Sequence, residues 1–358
     1  MGREFQTCCQ PAWELNGAKP VPRRLGIRAA HDRGLQPDWF LEISQRSVSE
    51  AMIPQIIVIF SVDWEPDHGK WRPTGSNDSY GGILKGTPAL EEILDDLEIP
   101  CTWFVETSQE PERNTPRLFP EIVSRIAGRT RDEVGLHLHW RRHRRGNEIV
   151  YETEDPAWVL AQLKHGRQEL SRCGIRPESF RGGSFLYVLS LAESLAQASF
   201  HNDSTLLWSR CHRLDSTRSS LRRNPSWKRA AVKMHQYFGT LPRPYFADHD
   251  DVERSGSSAI LEFPVLYNIL DLPRPQHALL HQSVLRRAAR RAGPAFLTLF
   301  MHIDELTQSR PGSGAPGVID SDMTSHLRAS LEALKARKDL AFVTVREARK
   351  LLQGSTAL

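Results

Sequence analysis

The sequence predicts an α/β fold built on a parallel sheet, open or closed into a barrel. From about residue 53 onward, short apolar runs alternate with segments of helical spacing, the pattern of successive β and α units. Four of those apolar runs also end in acids, imidazoles or a guanidinium. The carboxyl ends of the strands form the ligand face in parallel α/β folds, so this second observation predicts a reactive site along with the fold.

The elements follow in order. Residues 56–62 are the first expected strand, largely apolar as a buried strand should be. Thr87-Pro88 opens a helix with an N-cap and a proline in its first turn. A short strand is expected at 101–105, and Leu118, Ile122, Val123 and Ile126 give helical spacing over 116–127. A strand at 133–138 precedes a long amphipathic helix at 156–172. A further strand, 179–181, stops at Gly182-Gly183, and 189–198 is helical. The last strands are expected at 259–264, 295–302 and 340–344, with helices near 276–291, 321–337 and 345–352. Residues 204–258, rich in Ser, Arg and Pro, form a long excursion between strands.

Residues 1–52 differ from the rest. Cys-Cys, Pro-Val-Pro and Arg-Arg occur without a sustained period, which predicts an irregular or disordered extension ahead of a catalytic domain at 53–353. The domain is expected to begin near Met52, itself a candidate start. The chain has 358 residues, 39% hydrophobic and 25% charged, enough for one large core or two smaller ones. A net charge of +4 gives no reason to expect a nucleic-acid partner. Five cysteines (Cys8, Cys9, Cys101, Cys173, Cys211) include no CxxC pair, against a zinc ribbon or a thioredoxin-like site. A reduced chain and a cytoplasmic location are the expectation. No apolar run approaches the roughly 18 residues of a membrane span, and the N-terminus lacks a signal-peptide apolar core.

The chemistry concentrates at strand ends. The 56–62 run leads into Asp63-Trp64-Glu65, and 133–138 contains His137 and leads to His139. The 179–181 run ends at Arg181, and 295–302 ends at His302. Side chains two apart on an extended segment point the same way, so Asp63 faces with Glu65 and His137 with His139. Two imidazoles and a carboxylate make the open three-ligand set of a catalytic divalent ion. Such an ion acidifies water and polarises a carbonyl, leaving the other carboxylate as general base and a fourth-strand histidine as general acid.

Here the residues meet a known pattern. Phe60-Ser61-Val62-Asp63-Trp64-Glu65 resembles the first motif of the polysaccharide deacetylase (NodB-homology, carbohydrate esterase family 4-like) family. Residues 133–139 are similar to its second motif and Phe180-Arg181-Gly182-Gly183-Ser184-Phe185 to its third. The run 201–205 is loosely similar to the fourth, and 300–306 to the fifth. Leu261-Glu262-Phe263-Pro264-Val265 resembles the strand before the fifth. The motifs occur in the family's order over about residues 53–350.

The resemblance implies a distorted (β/α)7-type barrel and a metal-dependent hydrolase that removes N-acetyl groups from a sugar. It implies Asp63 as base, Arg181 as its orienting partner, His302 as acid, and Glu65, His137 and His139 as metal ligands. The ion would be zinc, with cobalt or a similar ion as the alternative. Asp304 would orient His302, and a backbone N–H near Gly182-Gly183 would help hold the oxyanion. Asp203 belongs to the supporting set. Two departures stand out. The commoner first motif has adjacent aspartates where this chain reads Asp-x-Glu, and the commoner second motif spaces its histidines four apart, which makes His143 an alternative ligand with His139.

A carbohydrate is the implied partner. Without a signal peptide, a lipid-linked or nucleotide-linked precursor is expected before a wall polymer. Hydrolysis of another linear or cyclic amide, a glycan-binding domain without turnover, and a two-carboxylate glycosidase are the rival readings. Other clusters have plainer explanations. Arg141, Arg142, Arg144 and Arg145 are expected to be a solvated basic turn, and Asp248-His249-Asp250-Asp251 a surface loop without calcium-loop spacing. Trp64 is expected in the core, while Trp103 and Trp140 are open between core packing and stacking on sugar.

Overall fold

The computed structural model describes residues 55–67, 80–143, 149–152, 154–208, 241–271, 275–290, 293–308 and 318–356. The expected extension at 1–52, and the boundary at 53, lie outside these residues.

Strand β1 (Ile56–Trp64) is buried along its whole length. A wide turn at Gly82–Gly86 leads into α1 (Thr87–Asp96). Thr87 is the first residue of that helix and not its cap; its hydroxyl accepts the Trp64 Nε1–H at 2.8 Å. Then come β2 (Thr102–Glu106), α2 (Thr115–Leu118) and α3 (Pro120–Ala127). The single helix expected over 116–127 is thus two. Pro120 disfavours helical geometry in the residue before it, and Phe119 sits at φ −136° and ψ 54°.

After β3 (Glu133–Leu138) the chain forms an unexpected hairpin of β4 (Arg141–His143) and β5 (Ile149–Tyr151), followed by α4 (Pro156–Arg172). Next are β6 (Ser179–Gly182), α5 (Leu191–Gln197) and β7 (Asn202–Asp203). From the long excursion, β8 (Tyr245–Phe246) is described, leading to β9 (Leu261–Glu262). The strand expected over 259–264 bends at Pro264 and resumes as β10 (Val265–Asn268). The chain ends with α6 (Pro275–Ala288), β11 (Ala295–His302), the pair β12 (Thr307–Gln308) and β13 (Val318–Ile319), α7 (Ser321–Lys335), β14 (Leu340–Val343) and α8 (Val345–Thr356).

The main sheet runs in the order β10-β11-β1-β2-β3-β6-β7-β9-β8, with β14 also on β1. All its ladders are parallel except β8 with β9. The bent segment from β9 to β10 turns the sheet back on itself. Its first half pairs with β7, Val265 bridges to Leu207, and its second half pairs with β11. The result is the distorted α/β barrel that the resemblance implies, with the parallel sheet that the strand and helix order predicts.

Alternation along the strands fills this barrel in two zones. Ile56, Val58, Phe60, Val62 and Trp64 face the helices and join the larger core. Ile57 and Ile59 face inward with Phe104, Leu261, Phe263 and Phe296. Farther up the same inward face stand Ser61 and Asp63, so the interior is apolar below and polar above. The bottom is closed by α8, whose Val345 and Ala348 join the inner cluster. There the Arg346 N–H donates to Glu133 Oε2 at 2.8 Å, and Ser179 Oγ donates to Oε1 at 2.5 Å. A carboxylate at a helix N-terminus is favoured by the helix dipole. Among the described residues no helix is long and apolar enough to cross a membrane.

One glycine ties the packing to the polar zone. A Cβ at Gly135 on β3 would stand 2.8 Å from the Phe104 ring and 2.9 Å from the Ser179 carbonyl oxygen. The expected outcome for Gly135→Ala is a loss of about 1–3 kcal/mol of stability, the usual range for overpacking, read as a lowered thermal midpoint.

Candidate metal and catalytic centre

The upper end of the barrel gathers what β1, β3, β6 and β11 deliver. Arg181 on β6 is fully buried. Its Nη1 donates to Asp63 Oδ1 at 2.7 Å, and its Nη2 to Ser61 Oγ at 2.9 Å and Ser204 Oγ at 3.0 Å. Its Nε donates to the Ser204 carbonyl at 3.1 Å. The rings of Phe104, Phe185 and Phe300 lie 4.2, 6.0 and 5.9 Å from the guanidinium carbon. Burial alone would raise the pKa of Asp63. The charges of Arg181, His137 and His302 outweigh it and hold the carboxyl below the ordinary aspartate range. Asp63 is therefore a carboxylate with Oδ2 turned toward His302.

Beside it, Glu65 meets two imidazoles. Its Oε2 is 2.7 Å from His139 Nε2, and its Oε1 is 3.6 Å from His137 Nε2. The three ligand atoms lie within 4.8 Å of one another, and Asp63, Glu65 and His302 form a second such group that shares Glu65. Burial raises the pKa of Glu65, but His139 and His137 pull it well below the usual value. His137 Nδ1 is 3.0 Å from the Arg181 carbonyl oxygen, an acceptor, so this nitrogen carries the proton. His137 Nε2 is buried, faces Glu65 Oε1 at 3.6 Å, and makes no hydrogen bond among the described residues. A buried polar atom without a hydrogen bond calls for an explanation. A divalent ion among Glu65, His137 and His139 supplies one, and the donor set fits it.

The backbone beside these ligands is tightly set. A Cβ at Gly183 would lie 2.5 Å from the His139 ring, so only glycine lets that ring pack against β6. Ser184 and Phe185 follow at φ 55° and 53°, two non-glycine residues in the left-handed region.

His302, at the end of β11, is 28% exposed at its side chain. Its Nε2 lies 3.8 Å from Asp63 Oδ2 and 3.9 Å from Glu65 Oε1. Its Nδ1 faces Glu305 Oε1 at 3.9 Å, and its backbone N–H donates to Glu305 Oε2 at 2.8 Å. Asn268 Nδ2 holds both oxygens of Glu305 at 2.8 and 3.0 Å. Burial lowers the imidazole pKa, yet Glu305, Asp63 and Glu65 push it up to about 10. The carboxylate against His302 is thus that of Glu305, not the expected Asp304. A short helical turn, Ile303–Leu306, brings the third residue after His302 back against it.

Other expectations fare differently. The Gly182 N–H donates to Thr205 Oγ1 at 2.8 Å, so it is already engaged and does not serve the oxyanion. Asp203 is fully buried and accepts from Thr205, supporting the turn that holds Arg181. Of His143 only the backbone lies within the described residues. Trp64, Trp103 and Trp140 are all fully buried. Trp103 Nε1 donates to Asp132 and Trp140 Nε1 to the Leu186 carbonyl, so these rings are core and do not form a sugar platform. Arg142 pairs with Glu152 and Asp155 and Arg141 with Glu110, while Arg144 and Arg145 lie outside the described residues. The run 248–251 is a surface turn in which Asp248 and Asp251 accept from backbone N–H groups two residues on.

One pair escaped sequence reading altogether. Arg113 donates from Nε and Nη2 to the two oxygens of Glu106 at 2.8 Å each, and its Nη2 is 3.6 Å from Glu65 Oε2. Glu106 follows the strand rule, as the last residue of β2 beside His137. Arg113 ends a single 3-10 turn, Pro111–Arg113, and no spacing signals it.

No family model matches the sequence, and no curated protein matches it. Solved structures do. A Mycobacterium smegmatis protein named as a polysaccharide deacetylase is 19% identical, with 86% of this chain and 94% of that chain covered at a TM-score of 0.54. A 4-alpha-glucanotransferase from Thermococcus litoralis is 12% identical at a TM-score of 0.50, covering 82% of this chain and 40% of that one. One architecture therefore serves different chemistries, and function must be argued from the site. The chain has the polysaccharide deacetylase (NodB-homology) type of fold, a distorted barrel of parallel strands with its reactive side chains at their carboxyl ends.

Proposed function

We propose that the protein is a metal-dependent hydrolase of a non-peptide carbon–nitrogen bond, removing N-acetyl groups from a sugar. The supporting observation is the buried Nε2 of His137, which makes no hydrogen bond among the described residues and faces Glu65 and His139 beside an ionised Asp63 and a protonated His302. A glycan-binding domain has no need of a base and an acid beside a ligand set. A two-carboxylate glycosidase has no need of the imidazoles.

Glu65, His137 and His139 would hold the ion, zinc or a similar divalent metal such as cobalt. When bound, it supplies Lewis acidity toward an amide carbonyl and lowers the pKa of water. Asp63, kept ionised by Arg181, accepts the proton of the water that attacks the acetyl carbonyl. His302, kept protonated by Glu305, gives a proton to the departing amine nitrogen. Acetate and an amino sugar are the products. The two groups start in the correct and opposite protonation states for these steps. The substrate is a carbohydrate, with a lipid-linked or nucleotide-linked precursor as the preferred form.

Two experiments test this reading. Elemental analysis should find about one divalent ion per chain, lost in His137→Ala, and Asp63→Asn should release acetate from acetylated sugars at least about 100-fold more slowly with metal retained. Metal-free protein after reconstitution, or unchanged turnover in Asp63→Asn, would sink the proposal. The pH profile gives a second check. The acid must be protonated, so the rate falls as pH rises through the His302 pKa. Removing the charge that raises that pKa, by Glu305→Gln, should move this alkaline limb to lower pH while leaving the acid limb of Asp63 in place.

A further inference from the structure

Behind the Arg181 shell, on the opposite face of the sheet, two more carboxyl groups meet. Asp203 on β7 and Glu262 on β9 are register partners, and both are fully buried. Leu261 and Phe263 point into the barrel, so Glu262 between them points out. Each acid has one oxygen satisfied. Asp203 Oδ1 accepts from the Thr205 N–H at 3.0 Å and the Thr205 hydroxyl at 2.5 Å. Glu262 Oε1 accepts from the Leu206 N–H at 3.0 Å. The other oxygens, Asp203 Oδ2 and Glu262 Oε2, receive no hydrogen from an N–H or a hydroxyl among the described residues. Set side by side on adjacent strands, these two free oxygens can be joined only by a proton of their own.

We infer that Asp203 and Glu262 form an acid pair sharing one proton, and that this pair is a positioning device for Arg181. The turn 203–206 is its lever. Asp203 fixes Thr205, whose hydroxyl accepts the Gly182 N–H, next to Arg181 on β6. Glu262 fixes Leu206. Between them Ser204 offers Arg181 both its carbonyl and its hydroxyl, and that hydroxyl donates to the Phe263 carbonyl at 3.1 Å. Without the shared proton, two buried carboxylates would repel across adjacent strands and pull that turn apart.

Burial raises both acids, Asp203 to about 6 and Glu262 well above the ordinary glutamate range. The phenol of Tyr187 faces the pair, with Tyr245 and Glu253 beside that phenol, and Arg181 opposes them from the barrel side. The sign follows. The folded pair holds a proton that the unfolded carboxyls, with pKa near 4, have released. Folding therefore loses about tenfold in its equilibrium constant per pH unit above that value, until the folded pair itself ionises.

The test uses Glu262→Gln, which replaces the proton-bearing oxygen by an amide donor, against Glu262→Ala, which removes it. Asp203→Asn provides the same swap from the other side should Glu262→Gln fail to fold. Chemical denaturation between pH 5 and pH 9, compared with wild type, reads the proton without any turnover. The swapped variants should lack the wild-type loss with pH and gain on it at the alkaline end. Steady-state kinetics read the positioning. This arm rests on the deacetylase reading: kcat should stay within about threefold in the swapped variants and fall at least about tenfold in Glu262→Ala, with KM little changed. A wild-type pH dependence in both swapped variants would overturn the shared proton. Equal kinetic loss in Gln and Ala variants would overturn the positioning role. Absence of any deacetylase activity in wild type would count against the reaction alone, since the denaturation arm stands apart from it.

Discussion

A fully buried guanidinium organises this molecule. Moving such a charge out of water carries a penalty of several kcal/mol unless its environment replaces the lost hydration. Arg181 finds that replacement in one carboxylate, two serine hydroxyls, one carbonyl and the faces of three phenyl rings. Those groups come from separate strands, and Asp63 is 118 residues away in the chain. None of these partners can shift by a residue without stranding the charge. The register of β1, β6 and β7 is thereby fixed at the level where the barrel interior turns from apolar to polar.

The same arrangement gives two neighbouring carboxylates different characters. Asp63 near the end of β1 and Glu65 just past it are about equally buried. Asp63 meets a permanent cation, so it stays an anion whatever else binds. Glu65 meets imidazoles, whose protons can be exchanged for a metal, with Arg113 standing behind it on Glu106. Environment, more than residue type, separates a proton acceptor from a ligand here.

Much of this was legible in the chain. Strand periodicity located β1, β3, β6 and β11, and the residues at their ends, Asp63, Glu65, His137, His139, Arg181 and His302, do converge. What escaped was of another kind. Ser61 and Ser204 are ordinary residues until a guanidinium arrives beside them, and Glu262 looks like any strand acid until Asp203 pairs with it in register. Arg113 lies in a turn that obeys no period. Glu305 displaced Asp304 because a tight helical turn, invisible as hydrophobic pattern, rotates the third residue back onto His302. Trp103 and Trp140 were ambiguous for a related reason: an indole beside a motif faces the ligand or the core according to strand alternation and to the donor it must satisfy, here Asp132 and the Leu186 carbonyl.

The central place of β1 also bears on how the chain reaches this state. Its neighbours are β2, β11 and β14, and Ser61 donates to the Leu299 carbonyl 238 residues downstream. A strand as apolar as Ile56–Phe60 is made well before β11 and β14, two of the three strands that cover its edges. Until those two are made it is an uncovered, sticky edge of the kind that seeds aggregation. Completion of the barrel waits for the C-terminal strands, so the nascent chain depends on being kept apart from its neighbours until they arrive.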